Sequence, residues 1–170
     1  MPALLTEEVV RALREIARAN MAGNLWRVSQ DYPAVAGEHL INLEPIPPNN
    51  YFIASDLDPL PLPAMFLVAQ ETTLVKDLQQ GERQTDLVDV TVIVESVMGA
   101  QVLKLKTMRY ARAAWMTFHD YGSTRGRMDY PFVVLVDGVR YGPPAPSTSG
   151  RGFEMEALLK LHVLHYEAWN

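Results

Sequence analysis

The chain has 170 residues, 48% hydrophobic and 21% charged, a composition ordinary for a soluble globule and long enough to bury a core without staples. It holds no cysteine, which excludes disulfides, thiolate zinc sites and a cysteine nucleophile together. The net charge of −5 is uneven, 6 basic against 14 acidic side chains in residues 1–98 and 9 against 6 in residues 99–170, and no basic run interleaved with aromatics offers a nucleic-acid surface.

No apolar run approaches the roughly 20 residues of a bilayer span. Glu7 and Glu8 stand where an export signal would be basic, so neither membrane insertion nor export is expected, and the absence of cysteine fits assembly in a reducing cytoplasm. Thr6 ahead of the two glutamates reads as a helix N-cap with acids in the first turn, where orphan N–H groups favour negative charge. Val9, Leu13, Ile16 and Ala17 recur at helical spacing, with Ala12 widening the stripe. Arg11, Arg14, Glu15 and Arg18 fall outside it, and Gly23 is a natural stop. A first helix is predicted over about 5–22.

Residues 24–63 are the least regular stretch. Six of the twelve prolines crowd into 45–63, and each removes a backbone donor and fixes φ, so neither a helix nor a central strand fits there. Only short strands fit, around 38–43 and 51–55. Because the stretch stays rich in Leu, Ile, Tyr and Phe, it reads as an extended arm laid on the domain.

The apolar run 64–69 suits a buried strand. Residues 76–85, centred on Gly81, are polar and read as a projecting loop. Val88, Val90, Val92 and Val94 then alternate with Asp89, Thr91, Ile93 and Glu95, the pattern of a half-buried strand, so the two runs make a long-looped hairpin. After Gly99 a second helix is predicted over 100–119. Leu103, Thr107, Tyr110, Ala111, Ala114, Trp115 and Phe118 form its apolar face, with Lys104, Lys106, Arg109 and Arg112 largely off it.

Residues 121–127 read as a loop, and 132–136 as a β-branched strand closed by the turn dipeptide Asp137-Gly138. The Gly-, Pro- and Ser-rich 142–152 looks mobile, making 141–152 a second projecting loop. In 153–166, Phe153, Met155, Ala157, Leu159, Leu161 and Val163 alternate as along a strand, although Ala157, Leu158, Leu161 and Leu164 would also suit a helix. The unbroken alternation favours the strand. The order predicts one α+β domain over 1–170: a mostly antiparallel sheet, two main helices on one face, and the Pro-rich extended arm.

No residue constellation in this order supplies chemistry. His162 and His165 would share one face of a helix but point apart on a strand, and they read as surface or edge residues; His39 and His119 are isolated. Asp56-Leu-Asp58 opens like a calcium loop but lacks its turn glycine and closing Glu. Glu154 and Glu156 share a strand face, where carboxylates are usually solubilising. Residues 122–126 do not form a P-loop, and Ser55, Ser123, Ser147 and Ser149 lack a nucleophile elbow. No catalytic residue, cofactor or metal is expected, and the chain is expected to assemble with proteins without being an enzyme. The candidate interface residues are Lys76, Asp77, Gln79, Gln80, Glu82 and Arg83 of the first loop, the basic Arg125, Arg127 and Arg151, and Trp169 for its large contact area.

The run 63–121 resembles the core of phage tail-terminator (tail-completion) proteins. It carries an apolar strand after proline (Pro63-Ala-Met-Phe-Leu-Val), a polar loop over 76–85, an alternating valine strand over 87–94, and a helix with the step Tyr110, Ala113; further strands follow to the C-terminus. The resemblance implies a hexameric ring that caps the tail tube, halts its growth and joins it to the neck. It implies as partners further copies of the chain, the tail tube protein and a neck or head-completion protein, with DNA only as cargo passing through the ring and no membrane. The chain would then reside in the virion tail or neck, and in the host cytoplasm during assembly. The proline-rich arm departs from the compact pattern of that family, so a neighbouring neck or head-closure protein is the alternative, as is a small non-viral protein-binding adaptor.

Overall fold

The alternating valines lie at the centre of the sheet. The computed structural model describes residues 6–32, 41–53, 61–77, 81–119, 121 and 132–167. In chain order these form α1 (Thr6–Asp31), a 3-10 turn (Pro48–Asn50), β1 (Tyr51–Phe52), β2 (Ala64–Asp77), β3 (Gly81–Ser96), α2 (Ala100–His119), β4 (Phe132–Tyr141), β5 (Ala145–Pro146) and β6 (Phe153–Glu167). The sheet order is β1-β2-β3-β6-β4, with β5 also on β6; every pairing is antiparallel except β1 with β2. The fold is therefore α+β, with a mostly antiparallel sheet, as its element order predicts.

Both helices cover one sheet face. Met65 and Leu67 of β2, Val88, Val90, Val92 and Val94 of β3, and Leu159, Leu161 and Val163 of β6 are buried in a single cluster with Leu13, Met21 and Leu25 of α1 and Leu103, Tyr110 and Phe118 of α2. Fully burying each such side chain contributes about 1.5–3 kcal/mol, which makes this layer the dominant stabilising feature. The strand reading of 153–166 holds, because β6 lies between two strands and every odd position from Met155 to His165 is buried toward the helices.

Five expectations need correction. First, α1 does not stop at Gly23 but runs to Asp31. Leu25 and Val28 continue the stripe from Met21 and are fully buried, which outweighs the roughly 1 kcal/mol that an exposed mid-helix glycine costs. Thr6 does open the helix, but its hydroxyl reaches across to β2 and β3, as described below.

Second, in the polar stretch 76–85 the described residues 76–77 and 81–85 are strand and not loop, while 78–80 lie outside the described residues. β2 extends to Asp77 and β3 starts at Gly81, with Lys76 opposite Glu82 and Thr73 opposite Thr85. Backbone pairing does not require apolar side chains, and β6 supplies a third strand alongside, pairing Glu82–Leu87 with residues 162–167.

Third, Asp137-Gly138 is no turn. β4 continues along β6 to Tyr141 with a register shift between Val136 and Gly138, so Asp137 is an extra, bulged residue. The bulge resets the alternation: Val134 and Val136 before it, and Val139 after it, all face the core.

Fourth, residues 142–152 are tied down. β5 pairs with Phe153 and Glu154, Gly150 N donates to Ser147 O at 2.9 Å, and the hydroxyls of Ser147 and Ser149 each donate to Glu95 Oε2 at 2.9 Å. Gly152 allows the close return: at φ 76° a Cβ there would lie 2.4 Å from the Ser96 carbonyl oxygen.

Fifth, Trp115 does not face the core. It is 39% exposed, its ring stacked on His119 at 4.2 Å, while Ala113 and Thr117 are buried. The apolar face of α2 is rotated toward α1, where Asn24 Nδ2 donates to Thr117 Oγ1 at 2.9 Å.

Of the arm expected over 24–63, residues 24–31 belong to α1, while 33–40 and 54–60 lie outside the described residues. The short strand expected near 51–55 is present as β1, whereas 41–43 are irregular. The Tyr110 hydroxyl donates to the Glu44 carbonyl, and buried Asn50 donates to the carbonyls of Pro61 and Pro63 at 3.2 and 3.1 Å. These bonds fasten the described pieces to α2 and to the start of β2.

Candidate assembly interface

Among the described residues, those singled out for an interface do not form one patch. Lys76 and Asp77 end β2, while Glu82 and Arg83 begin β3, so these four share the far end of one hairpin, where Lys76 and Arg83 are exposed. Arg151 is exposed in the turn before β6 and lines a shallow groove with Val97, Met98 and Lys106. Gln79, Gln80, Arg125, Arg127 and Trp169 lie outside the described residues.

A different feature emerges at the two ends of the sheet. Among the described residues, nothing pairs with the outer edge of β4, and β1 covers β2 only at Met65 and Phe66, so 71–77 also present a free edge. Residues 71–76 are all exposed, including Leu74 and Val75. At the opposite end Tyr141 of β4 is exposed beside Leu105, Met108 and Trp115 on the outer side of α2, and Leu135 is exposed on the other sheet face. These α2 side chains, with Val139 and Tyr141, line an open groove of about 440 Å³ that also holds Arg109 and Arg112. Arg109 lies 5.0 Å over the Tyr32 ring, and Arg112 is 3.9 Å from Asp31. Aromatic, Met and Arg side chains around an apolar floor are the composition of protein-contact surfaces. In the sequence this groove is hidden, because Arg109 and Arg112 read as lying off the apolar face of a helix, Trp115 as core and Tyr141 as loop.

One polar cluster is buried on the helix side of the sheet. Asp86 of β3 is 0% exposed. Its Oδ1 accepts from Thr72 Oγ1 at 2.5 Å and Thr6 Oγ1 at 3.1 Å, and its Oδ2 accepts from Gln84 Nε2 at 2.7 Å. His165 of β6, expected at a surface or edge, is instead buried on an interior strand, with Nε2 3.2 Å from Asp86 Oδ2. That approach misses hydrogen-bond geometry, so the contact is electrostatic. The ring also meets Phe132 edge-on at 5.5 Å. The cluster fastens the start of α1 to β2 and β3, and its enclosure makes it a structural device before a chemical one. Among the described residues no group of three or more His, Asp or Glu is placed to hold a metal ion. Asp56, Asp58, His39 and the 122–126 segment lie outside the described residues.

Burial lowers the His165 pKa below its ordinary 6.5, and the neighbouring Asp86 carboxylate only partly opposes this. The unfolded chain therefore binds the proton more readily than the folded one. This contribution to stability is complete above about pH 6.5 and is lost as pH falls below it. His165→Gln should flatten the fall in denaturant midpoint between pH 7.5 and pH 5.5 relative to the parent chain. Equal slopes would show that His165 is not a source of acid sensitivity.

No protein-family model and no curated protein matches the chain. Among solved structures it is similar to a chain in the virion of a native gene transfer agent (GTA) particle, with 14% identity over 69% of this chain and 80% of that one, at a TM-score of 0.30. A likeness at that level carries no argument about role. No helix among the described residues is long and apolar enough to cross a membrane.

Proposed function

We propose that this chain is a structural virion protein of the tailed-phage kind. It joins copies of itself, six in the arrangement implied by the sequence resemblance, into a ring that ends the tail tube and links it to the neck. The observation that carries the reading is the pair of sheet ends left free among the described residues, each flanked by exposed large apolar side chains. Two unlike edges on opposite sides of one subunit make head-to-tail contacts, and such contacts close into rings when the rotation allows. The far end of the β2–β3 hairpin, with Lys76, Asp77, Glu82 and Arg83, is the part suited to reach tube or neck protein. In this role the chain acts as a joint and not as an enzyme, DNA passes through the ring as cargo, and the protein works in the virion after assembling in the host cytoplasm. A neck or head-closure protein, or an adaptor whose α2 groove takes a non-viral partner, is the second reading, favoured by the groove itself.

Purified, untagged protein examined by sedimentation and negative-stain microscopy, alone and with polymerising tail tube protein, tests the reading. Six-fold rings, or tubes capped at one end that stop growing, are expected. A chain that stays monomeric and neither caps nor binds tubes overturns the terminator role and favours the adaptor.

A further inference from the structure

Among the described residues, the free edges of β2 and β4 match in the spacing of two outward-facing side chains on each. On β2 the side chains facing away from the helices include Glu71 and Val75, which are four ladder positions apart. On β4 the corresponding face carries Leu135 and Arg140, and because Asp137 is bulged these too are four ladder positions apart. All four side chains are exposed. β4 runs opposite to β2, since β2 to β3, β3 to β6 and β6 to β4 are each antiparallel. A second copy brought to β4 without reversing its strand direction therefore presents β2 as an antiparallel partner. In that pairing one register sets Val75 opposite Leu135 and, at once, Glu71 opposite Arg140. On the helix side the same register sets Leu74 beside Val136.

We infer that β2 of one copy of this chain adds to the free edge of β4 of the next, in the register Val75 opposite Leu135 and Glu71 opposite Arg140. The joint rests on the reading that the chain assembles with itself, and it names the surfaces that do so. Several observations converge on it. The segment 132–136 is an apolar edge strand without Lys or Pro, the kind that soluble proteins rarely leave open. A strand added there lies about 4.8 Å beyond β4, and its helix-side residues come to the mouth of the groove between β4 and α2. Charge complementarity lies on the sheet face away from the helices, where the incoming Glu71 comes opposite Arg140. The asymmetry also fits: the joint uses two different edges, so it propagates from copy to copy and does not end at a dimer.

The test is charge exchange combined with cross-linking in a chain that has no cysteine of its own. Glu71→Arg or Arg140→Glu alone places like charges across the joint and should raise the concentration needed for assembly about tenfold, whereas the double exchange in one chain should restore it. Val75→Cys mixed with Leu135→Cys should form an inter-chain disulfide about tenfold faster than Val75→Cys mixed with Val97→Cys, because only the first pair is held together. All four side chains in the joint are exposed, so the variants should fold, and circular dichroism checks this. Rings that form with unchanged concentration dependence in the single exchanges, and with cross-linking at the control rate, overturn the joint while leaving ring formation standing. Cross-linked open chains that never close support the joint and remove the ring. Monomers that cross-link only at the control rate, with or without tail tube protein, overturn both.

Discussion

Val92→Asp is expected to unfold the protein. Val92 is fully buried at the centre of β3, between Met65 of β2 and Ala157 of β6, and faces both helices. A carboxylate there has neither water nor a partner, a cost of about 4 kcal/mol or more, against a total stability of only about 5–15 kcal/mol for a typical domain. The neighbouring Thr91 points to the other face, half-buried between Phe66 and Leu158, so Thr91→Asp should cost about 1 kcal/mol. Far-ultraviolet circular dichroism and a thermal melt separate the two. Equal tolerance of both substitutions would mean that the facing of β3 is wrong.

Asp86→Ala should have the next largest effect. It removes the acceptor for Thr6, Thr72 and Gln84; the buried Gln84 amide left without its partner costs about 1–3 kcal/mol, and the bonds from half-buried Thr6 and exposed Thr72 add less, so a net loss of about 2–4 kcal/mol is expected. For a chain of this size that lowers Tm by about 5–12 °C. Because Thr6 begins α1, amide exchange in the first turn of that helix should accelerate more than exchange in α2. Asp86→Asn, which keeps the shape and one acceptor oxygen, should lose less. A melt of Asp86→Ala within about 2 °C of the parent chain would show that the network does not stabilise the fold.

The readings that survived depend on local periodicity. Alternation at Val88, Val90, Val92 and Val94 and at the odd positions of 153–163 placed two strands and their buried faces. Gly99 and the polar–apolar pattern after it placed α2 at its observed bounds. Those signals are local because a side chain's facing follows from its own position in a repeating backbone.

The readings that failed all depended on a neighbour that is distant in sequence. Gly23 and Asp137-Gly138 carry real breaker preferences worth about 1 kcal/mol, but α2 beneath α1 and β6 beside β4 offer more through burial and backbone pairing. The polar residues 82–85 became strand because β6 lies alongside them, and Trp115 turned outward because α1 occupies the side taken by Ala113 and Thr117. The candidate interface followed the same division. A charged stretch marked the far ends of β2 and β3, where Lys76 and Arg83 are exposed. The free edges, the groove and the matched spacing of Glu71 and Val75 with Leu135 and Arg140 exist only once the strand order and the bulge are set. Composition and periodicity by themselves determined an α+β chain with a valine-rich central strand and no cysteine chemistry. Which edges remain open was decided only by tertiary structure, because an edge is defined by the strand that is missing beside it.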